Sequence, residues 1–307
     1  MKSEQASRTA EYMALFRALE SGRPAATRLF TDRFARGFLP PSLRAVEAVS
    51  RLPFAGALIP WLIHRWWPGP LGAGICRTRF IDDALRAALQ SGVGQVMILG
   101  AGFDSRAYRI PGIERTHVFE VDHPATQAAK RARLEHLLGQ LPAHVTFVPI
   151  DFNQQALADV LTSAGLEPRA RSFVIWEGVT NYLTAEAVDT TLRFLARATP
   201  PGSRILFTYI HRGILDGSVH FEGAQESIVT VGRAGEPFTF GFDPAELPAY
   251  VAQRGLALIE DVGAADYRAR YLDPLGRHDK VSEFYRAALV EVCDRHPQEV
   301  WVFGGSE

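Results

Sequence analysis

Residues 95–106 read QVMILGAGFDSR, and residues 117–122 read HVFEVD. The first stretch is a short apolar run that breaks at Gly100-Ala101-Gly102. The second is another short apolar run, and it ends on an acid, Asp122. Two glycines let a backbone turn tightly and come close to a ligand. An acid about twenty residues further on, at the end of the next strand, is placed to accept the hydroxyls of a ribose. A dinucleotide fingerprint would need a third glycine at position 105, where this chain has Ser105. The pair therefore points to a nucleoside rather than to a dinucleotide. Glu120 and Asp122 fall on one side of an alternating strand, and their combined charge disfavours a pyrophosphate.

Further runs of the same kind follow at Val145–Asp151 (VTFVPID), Ser172–Glu177 (SFVIWE) and Arg204–Ile210 (RILFTYI). Helical stretches at Pro124–Leu138, Gln154–Ala164 and Ala185–Ala198 separate them. Apolar runs alternating with helices indicate βαβ units and a parallel sheet buried on both faces, an α/β fold with right-handed crossovers. A helix over Phe80–Gln90 leads into the first strand. Leu256–Val262 and Phe284–Val292 read as closing strands, the second also compatible with a helix. His211–Phe242, rich in glycine and polar residues, reads as an insertion after the fifth strand, extending to about residue 246. Residues 1–75 read as a helical cap over a domain formed by 76–307. In the cap, helices are predicted over Ala10–Leu19 and Ala26–Phe38, ended by Pro24 and Pro40-Pro41.

Ligands of doubly wound sheets bind at the carboxyl ends of the strands. The third strand ends in Asp151-Phe152, a carboxylate and a ring suited to the amine and the face of adenine, or a helix N-cap. The fourth ends in Glu177-Gly178-Val179-Thr180-Asn181-Tyr182. Glu177 can neutralise an α-ammonium, and Tyr182 can orient a second substrate or simply pack. His211, just past the fifth strand, is the residue best placed for a general base, with a capping role as the alternative. Among Arg77, Arg79 and Arg86, any could hold a carboxylate by a bidentate pair.

The ordered set RTRFIDDAL, VMILGAGFDSRAYRI, FEVDHP, DF, WEGVTNYLTAEAV and FTYIHR resembles the leucine carboxyl methyltransferase-like family, and within it the bacterial S-adenosylmethionine-dependent branch. The match runs from about residue 75 to 212, with a looser match in the N-terminal helices. The resemblance implies a Rossmann-like methyltransferase sheet, mostly parallel, with an antiparallel last strand and a helical cap. It implies S-adenosyl-L-methionine as cofactor and S-adenosyl-L-homocysteine as product. By position it makes Arg77 the ligand of the methionine carboxylate and puts Gly100 and Gly102 in the loop facing the methionine part. It makes Asp122 the ribose acid, Asp151 and Phe152 the adenine pair (Phe where the family has Leu), and Glu177 a further cofactor contact. Tyr182 and His211 are then the candidates beside the acceptor.

The chain of 307 residues is 47% hydrophobic and 22% charged, with a net charge of -1. That balance fits a globular protein with an ample core and gives no reason to expect nucleic acid. Two cysteines, Cys76 and Cys293, make neither a disulfide framework nor a zinc spacing, and no metal site is expected. No signal peptide is visible at the N-terminus, so the cytoplasm is the expected compartment. The segment Leu52–Leu71, with Trp61, Trp66 and Trp67, is too short and too interrupted to span a bilayer. It is expected to line a pocket, with an interfacial surface as the alternative. With Phe54 it favours a small, rather apolar acceptor, methylated on a carboxylate or hydroxyl, with secondary metabolism as the expected setting. The phosphatase C-terminal leucine of eukaryotic relatives is not expected, because the cap and insertion differ. The competing readings are a protein that binds the cofactor without transferring methyl, and a nicotinamide-dependent oxidoreductase, which would need the missing glycine.

Overall fold

The computed structural model describes residues 8–52, 55–151 and 155–294. Seven strands form one sheet: β1 (Gln95–Leu99), β2 (His117–Asp122), β3 (Val145–Pro149), β4 (Ser172–Trp176), β5 (Arg204–Ile210), β6 (Leu256–Val262) and β7 (Tyr285–Val292). Their order is β3-β2-β1-β4-β5-β7-β6. β1 to β5 are parallel, and β7 runs antiparallel between β5 and β6. The α/β sheet read from the sequence is thus present, and the segment left open between strand and helix is β7. All five residues of β1 and all five of β4 are buried, the pattern of strands covered on both faces.

Twelve helices are described: α1 (Arg8–Ser21), α2 (Pro41–Ser50), α3 (Ala55–Trp66), α4 (Pro70–Gln90), α5 (Arg106–Arg109), α6 (Pro124–Leu138), α7 (Leu157–Ser163), α8 (Ala185–Ala198), α9 (Gly213–Asp216), α10 (Ala224–Arg233), α11 (Leu247–Ala252) and α12 (Ala264–Tyr267). Local chemistry sets their ends. α6 begins with Pro124 at its first position, and His123 Nδ1 accepts the Ala125 N–H. Thr184 caps α8 by accepting the Ala187 N–H. α4 starts at Pro70, ten residues before the helix read at Phe80–Gln90, so Arg77 lies within it.

Two apolar layers sandwich the sheet. One joins α4 to one face through Ile81, Leu85, Val96, Ile98 and Ile175. The other joins α8 and α11 to the opposite face through Met97, Val174, Val188, Leu192 and Val251. α1 joins the first layer through Phe16 and forms a further cluster with Phe34, Phe38 and Phe103.

One expected helix does not form. Over Ala26–Phe38 there are turns and a single 3-10 turn at Ala35–Phe38. Side chains take the backbone groups a helix would use: Glu20 accepts the Leu29 N–H, and Asp32 accepts those of Phe34 and Ala35. Arg79 donates to the Leu29 carbonyl. Polar side chains that bond nearby backbone in this way compete with helix formation.

Candidate active site

β1 and β4 are neighbours, and the chain leaves them in opposite directions across the sheet. Their carboxyl ends therefore open the crevice where doubly wound folds hold ligands. Gly100 sits there with φ 65°, a conformation that L side chains rarely adopt. A Cβ on Gly100 would lie 2.3 Å from Val179 Cγ2, so the turn after β1 and the turn after β4 exclude a side chain between them.

Asp122, at the end of β2, is locked onto that turn. Its Oδ2 accepts the Gly102 N–H and its Oδ1 accepts the His123 N–H at 2.6 Å. Each carboxylate oxygen has a second lone pair left for an outside donor. Two hydroxyls of a ribose fit that demand. Burial raises the Asp122 pKa, and the two N–H donors offset part of the rise.

Glu177 lies just past β4, between two arginines. Arg77 Nε donates to Oε1 at 2.7 Å, and Arg106 Nη1 donates to Oε2 at 2.8 Å. Burial alone would raise the Glu177 pKa, but Arg106 and Arg77 hold it below the ordinary carboxylate range. Arg77 also approaches Met13 Sδ at 3.4 Å and the face of Tyr285 at 5.9 Å. Arg77 and Glu177 are thus brought together as one pair.

That pair ends a continuous buried chain of charges. Arg106 reaches Asp104 and Asp82, Arg109 binds Asp82 through both Nη atoms, and Ser105 Oγ links Arg109 to Asp32. Arg17 closes the chain on Asp32 at 2.9 Å and on the Phe103 carbonyl. Four arginines meet four carboxylates, so the network is neutral. Burial would raise Asp104, but Arg106 and Lys130 lower it to about 2. The sequence reading missed Arg106, Arg109, Asp82, Asp104 and Asp32. A signal for all of them but Asp32 was present in the alternating acids and arginines of RTRFIDDAL and GFDSRAYR.

Asp151 follows β3 at the same edge, and its N–H donates to Gln155 Oε1 at 3.1 Å. Its expected partner Phe152 lies outside the described residues. Glu120 does not share a site with Asp122. It is 1% exposed and faces Lys130 Nζ at 2.8 Å, also 1% exposed, so its charge is compensated inside the fold. The combined field expected from Glu120 and Asp122 is therefore not available to a ligand.

Tyr182 is packed on Phe238, and Phe238 on Tyr285, with ring centroids 5.7 and 6.3 Å apart. Burial raises the Tyr182 pKa to about 12, so its hydroxyl stays protonated. His211 accepts the Gly213 N–H on Nδ1 at 3.0 Å and meets Phe221 edge-on. Accepting on Nδ1 leaves the ring proton on Nε2 in the neutral form. Above the glycine loop sits α1: a Cβ on Gly102 would lie 3.2 Å from Ala10 Cβ. Thr9, on the same helix, donates to Glu236, two residues before Phe238.

Of the cap aromatics, Trp67 turns inward, against Tyr12 and Phe16, and its Nε1 donates to Ser227. Trp61 and Trp66 do not line the crevice; they are 59% and 77% exposed. Phe54 lies outside the described residues.

This strand order, with an antiparallel β7, a glycine turn after β1 and an acid after β2, defines a class I methyltransferase. A family model for leucine carboxyl methyltransferase matches residues 10–196. The chain belongs to the leucine carboxyl methyltransferase family, and S-adenosyl-L-methionine is its cofactor. Among its relatives, a Bacillus subtilis protein named "Putative S-adenosyl-L-methionine-dependent methyltransferase YktD" is 30% identical over 211 residues, 68% of each chain. A Frankia alni protein named in the same terms is 36% identical over 201 residues, 66% of this chain and 68% of its own. In fold, the chain is similar to a Thermobifida fusca crystal structure described as a methyltransferase (TM-score 0.58, 15% identity, 95% and 97% coverage). It is also similar to a DUF574 family protein from Streptomyces avermitilis (TM-score 0.55, 13% identity, 93% and 97% coverage).

Proposed function

We propose that the chain methylates an oxygen, foremost a carboxylate oxygen, on a small and rather apolar acceptor. S-adenosyl-L-methionine supplies a methyl group already activated on a sulfonium. The chemistry of the residues present fits this cofactor. Asp122 offers two free lone pairs for the ribose hydroxyls. Asp151 and Phe152 are the pair for adenine. Arg77 is the partner for a carboxylate, and Glu177, kept anionic, for an ammonium. Gly100 and Gly102, having no side chains, let the loop after β1 pass close to the methionine part.

The observation that supports the choice of acceptor is the surroundings of the two candidate groups, Tyr182 buried against Phe238 and His211 hydrogen-bonded through Nδ1. Tyr182 holds its proton, and His211 carries its ring proton on Nε2. Both can donate a hydrogen bond and orient an acceptor, and His211 Nδ1 is already engaged by the Gly213 N–H. A carboxylate is ionised at neutral pH and needs no base. The Tyr182, Phe238 and Tyr285 rings supply the apolar wall that the exposed Trp61 and Trp66 do not. Alignment of the acceptor and exclusion of water then contribute most of the rate.

The test is a panel of acceptors with methyl-labelled cofactor, read by mass spectrometry. Aromatic and aliphatic carboxylic acids should gain one methyl as esters, ahead of matched alcohols and of small hydrophilic acids. Turnover confined to amines or to hydrophilic acids contradicts the proposal. Binding of the cofactor with no transfer to any member of the panel favours the reading as a binding protein.

A further inference from the structure

The helical hairpin α2–α3 turns an apolar face outward. On α2 and the turn after it, Ala45, Ala48, Val49 and Leu52 are exposed, at the i, i+3, i+4, i+7 spacing of one helix face. On α3, Leu58, Trp61 and Arg65 repeat that spacing, and Trp66 stands beside them. Ile59 and Ile63 take the inward side. The fold therefore leaves two tryptophans, two leucines and a valine in water, a patch that needs a partner.

The charge of the same segment says what kind of partner. Residues 41–66 contain three arginines (44, 51 and 65) and one acid, Glu47, a net charge of +2 in a chain whose total is -1. All three arginines are exposed, and Glu47 is 1% exposed. Glu47 is held there by Arg36 at 3.1 Å and by Arg51. Beside Trp61, a cleft of about 530 Å³ runs between α3 and residues 277–280, with Arg65, Arg23, His278 and Lys280 on its walls. The acid on the same wall, Asp279, is already paired with Arg277 and Arg23. Indole rings settle at the level of lipid headgroups, and arginine stems lie along apolar surface while their heads reach phosphate. A second copy of the chain would bring the same positive face, and like charges oppose that contact.

We infer that the outward face of α2–α3 docks on an anionic membrane surface, with Trp61, Trp66, Leu52 and Leu58 in the headgroup region, the arginines on lipid phosphates and a headgroup in the cleft beside Trp61. α3 lies in the plane of the interface. No described helix is long and apolar enough to cross a membrane, and this mode of binding needs none.

The test is flotation of the full chain with vesicles of phosphatidylcholine alone and of equal parts phosphatidylcholine and phosphatidylglycerol. The chain should float with the anionic vesicles only and be released by high salt. Trp61→Ser combined with Trp66→Ser, and separately Arg65→Glu, should each weaken binding roughly tenfold. These side chains are exposed, so Tm and S-adenosyl-L-homocysteine binding should not change, which shows that the variants fold. Three results overturn the inference: no binding of the wild type to anionic vesicles; binding by the double Trp variant equal to wild type; or a wild-type dimer that the double variant turns into monomer, which would make a second copy the occupant.

Discussion

In the proposed function Asp122 has two tasks at once. It fastens the glycine turn through two backbone N–H donors and keeps a lone pair on each oxygen for the ligand. Asp122→Asn keeps the shape but turns one acceptor into a donor. It should weaken S-adenosyl-L-homocysteine binding by about 2–3 kcal/mol, roughly 30- to 150-fold, measured by calorimetry. The anion is the form that binds, and burial raises its pKa from 3.8. Affinity should therefore start to fall, as pH is lowered, above the pH at which an exposed Asp titrates. The places of Asp122, Glu177 and Gly100 at strand ends were legible in the sequence because strand ends and turns announce themselves through short apolar runs and glycine, whereas Arg77 was singled out from Arg79 and Arg86 only by the family resemblance. The partner of Glu120 was not, because Lys130 lies on the next helix and nothing in the strand pattern points to it.

At the scale of elements, two contacts hold the crevice in shape. The first is the turn after β1 against the turn after β4. Gly100→Ala places a Cβ against Val179 and forces a left-handed residue, at about 1–3 kcal/mol. Adding Val179→Ala should restore only part of the loss, since the backbone strain stays; thermal unfolding of the single and double variants reads this. The second is Glu120 on β2 with Lys130 on α6. Burial already raises the Glu120 pKa to about 7, so Lys130→Met leaves its carboxyl without a cation and should make it take up a proton, at a cost of about 1–3 kcal/mol, most of it recovered by adding Glu120→Gln. The strands and α6 and α8 follow from periodicity. Ala26–Phe38 did not, because Glu20, Asp32 and Arg79, distant in part along the chain, claim its backbone. The direction faced by Trp61 and Trp66 was equally out of reach: a helix rich in apolar residues all round does not say which side is covered.

Across the whole molecule, the neutral chain from Arg17 through Asp32, Arg109, Asp82, Arg106 and Glu177 to Arg77 ties α1, α4, the glycine loop and β4 together. It joins the N-terminal helix to Arg77 and Glu177, the residues proposed to hold the methionine part. Asp32, Asp104 and Glu177 are lowered despite burial, because their arginines outweigh it. A carboxyl lowered in the folded state contributes stability above its unfolded pKa and loses it as pH falls through the folded value. For Asp104 that window runs from 3.8 down to about 2. Chemical denaturation across this range should show stability falling steeply. Asp104→Asn should lower stability at neutral pH and flatten the fall. A slope unchanged in the variant would place the acid sensitivity elsewhere.

The central claim is that a nucleoside cofactor sits on the end of β2, and calorimetric titration of S-adenosyl-L-homocysteine into the wild type and into Asp122→Ala tests it most directly. The account predicts saturable one-to-one binding to the wild type that is lost in the variant, with the thermal stability of the variant enough to show that it folds. Wild-type binding that survives unchanged in Asp122→Ala, or no binding to the wild type at all, would contradict it.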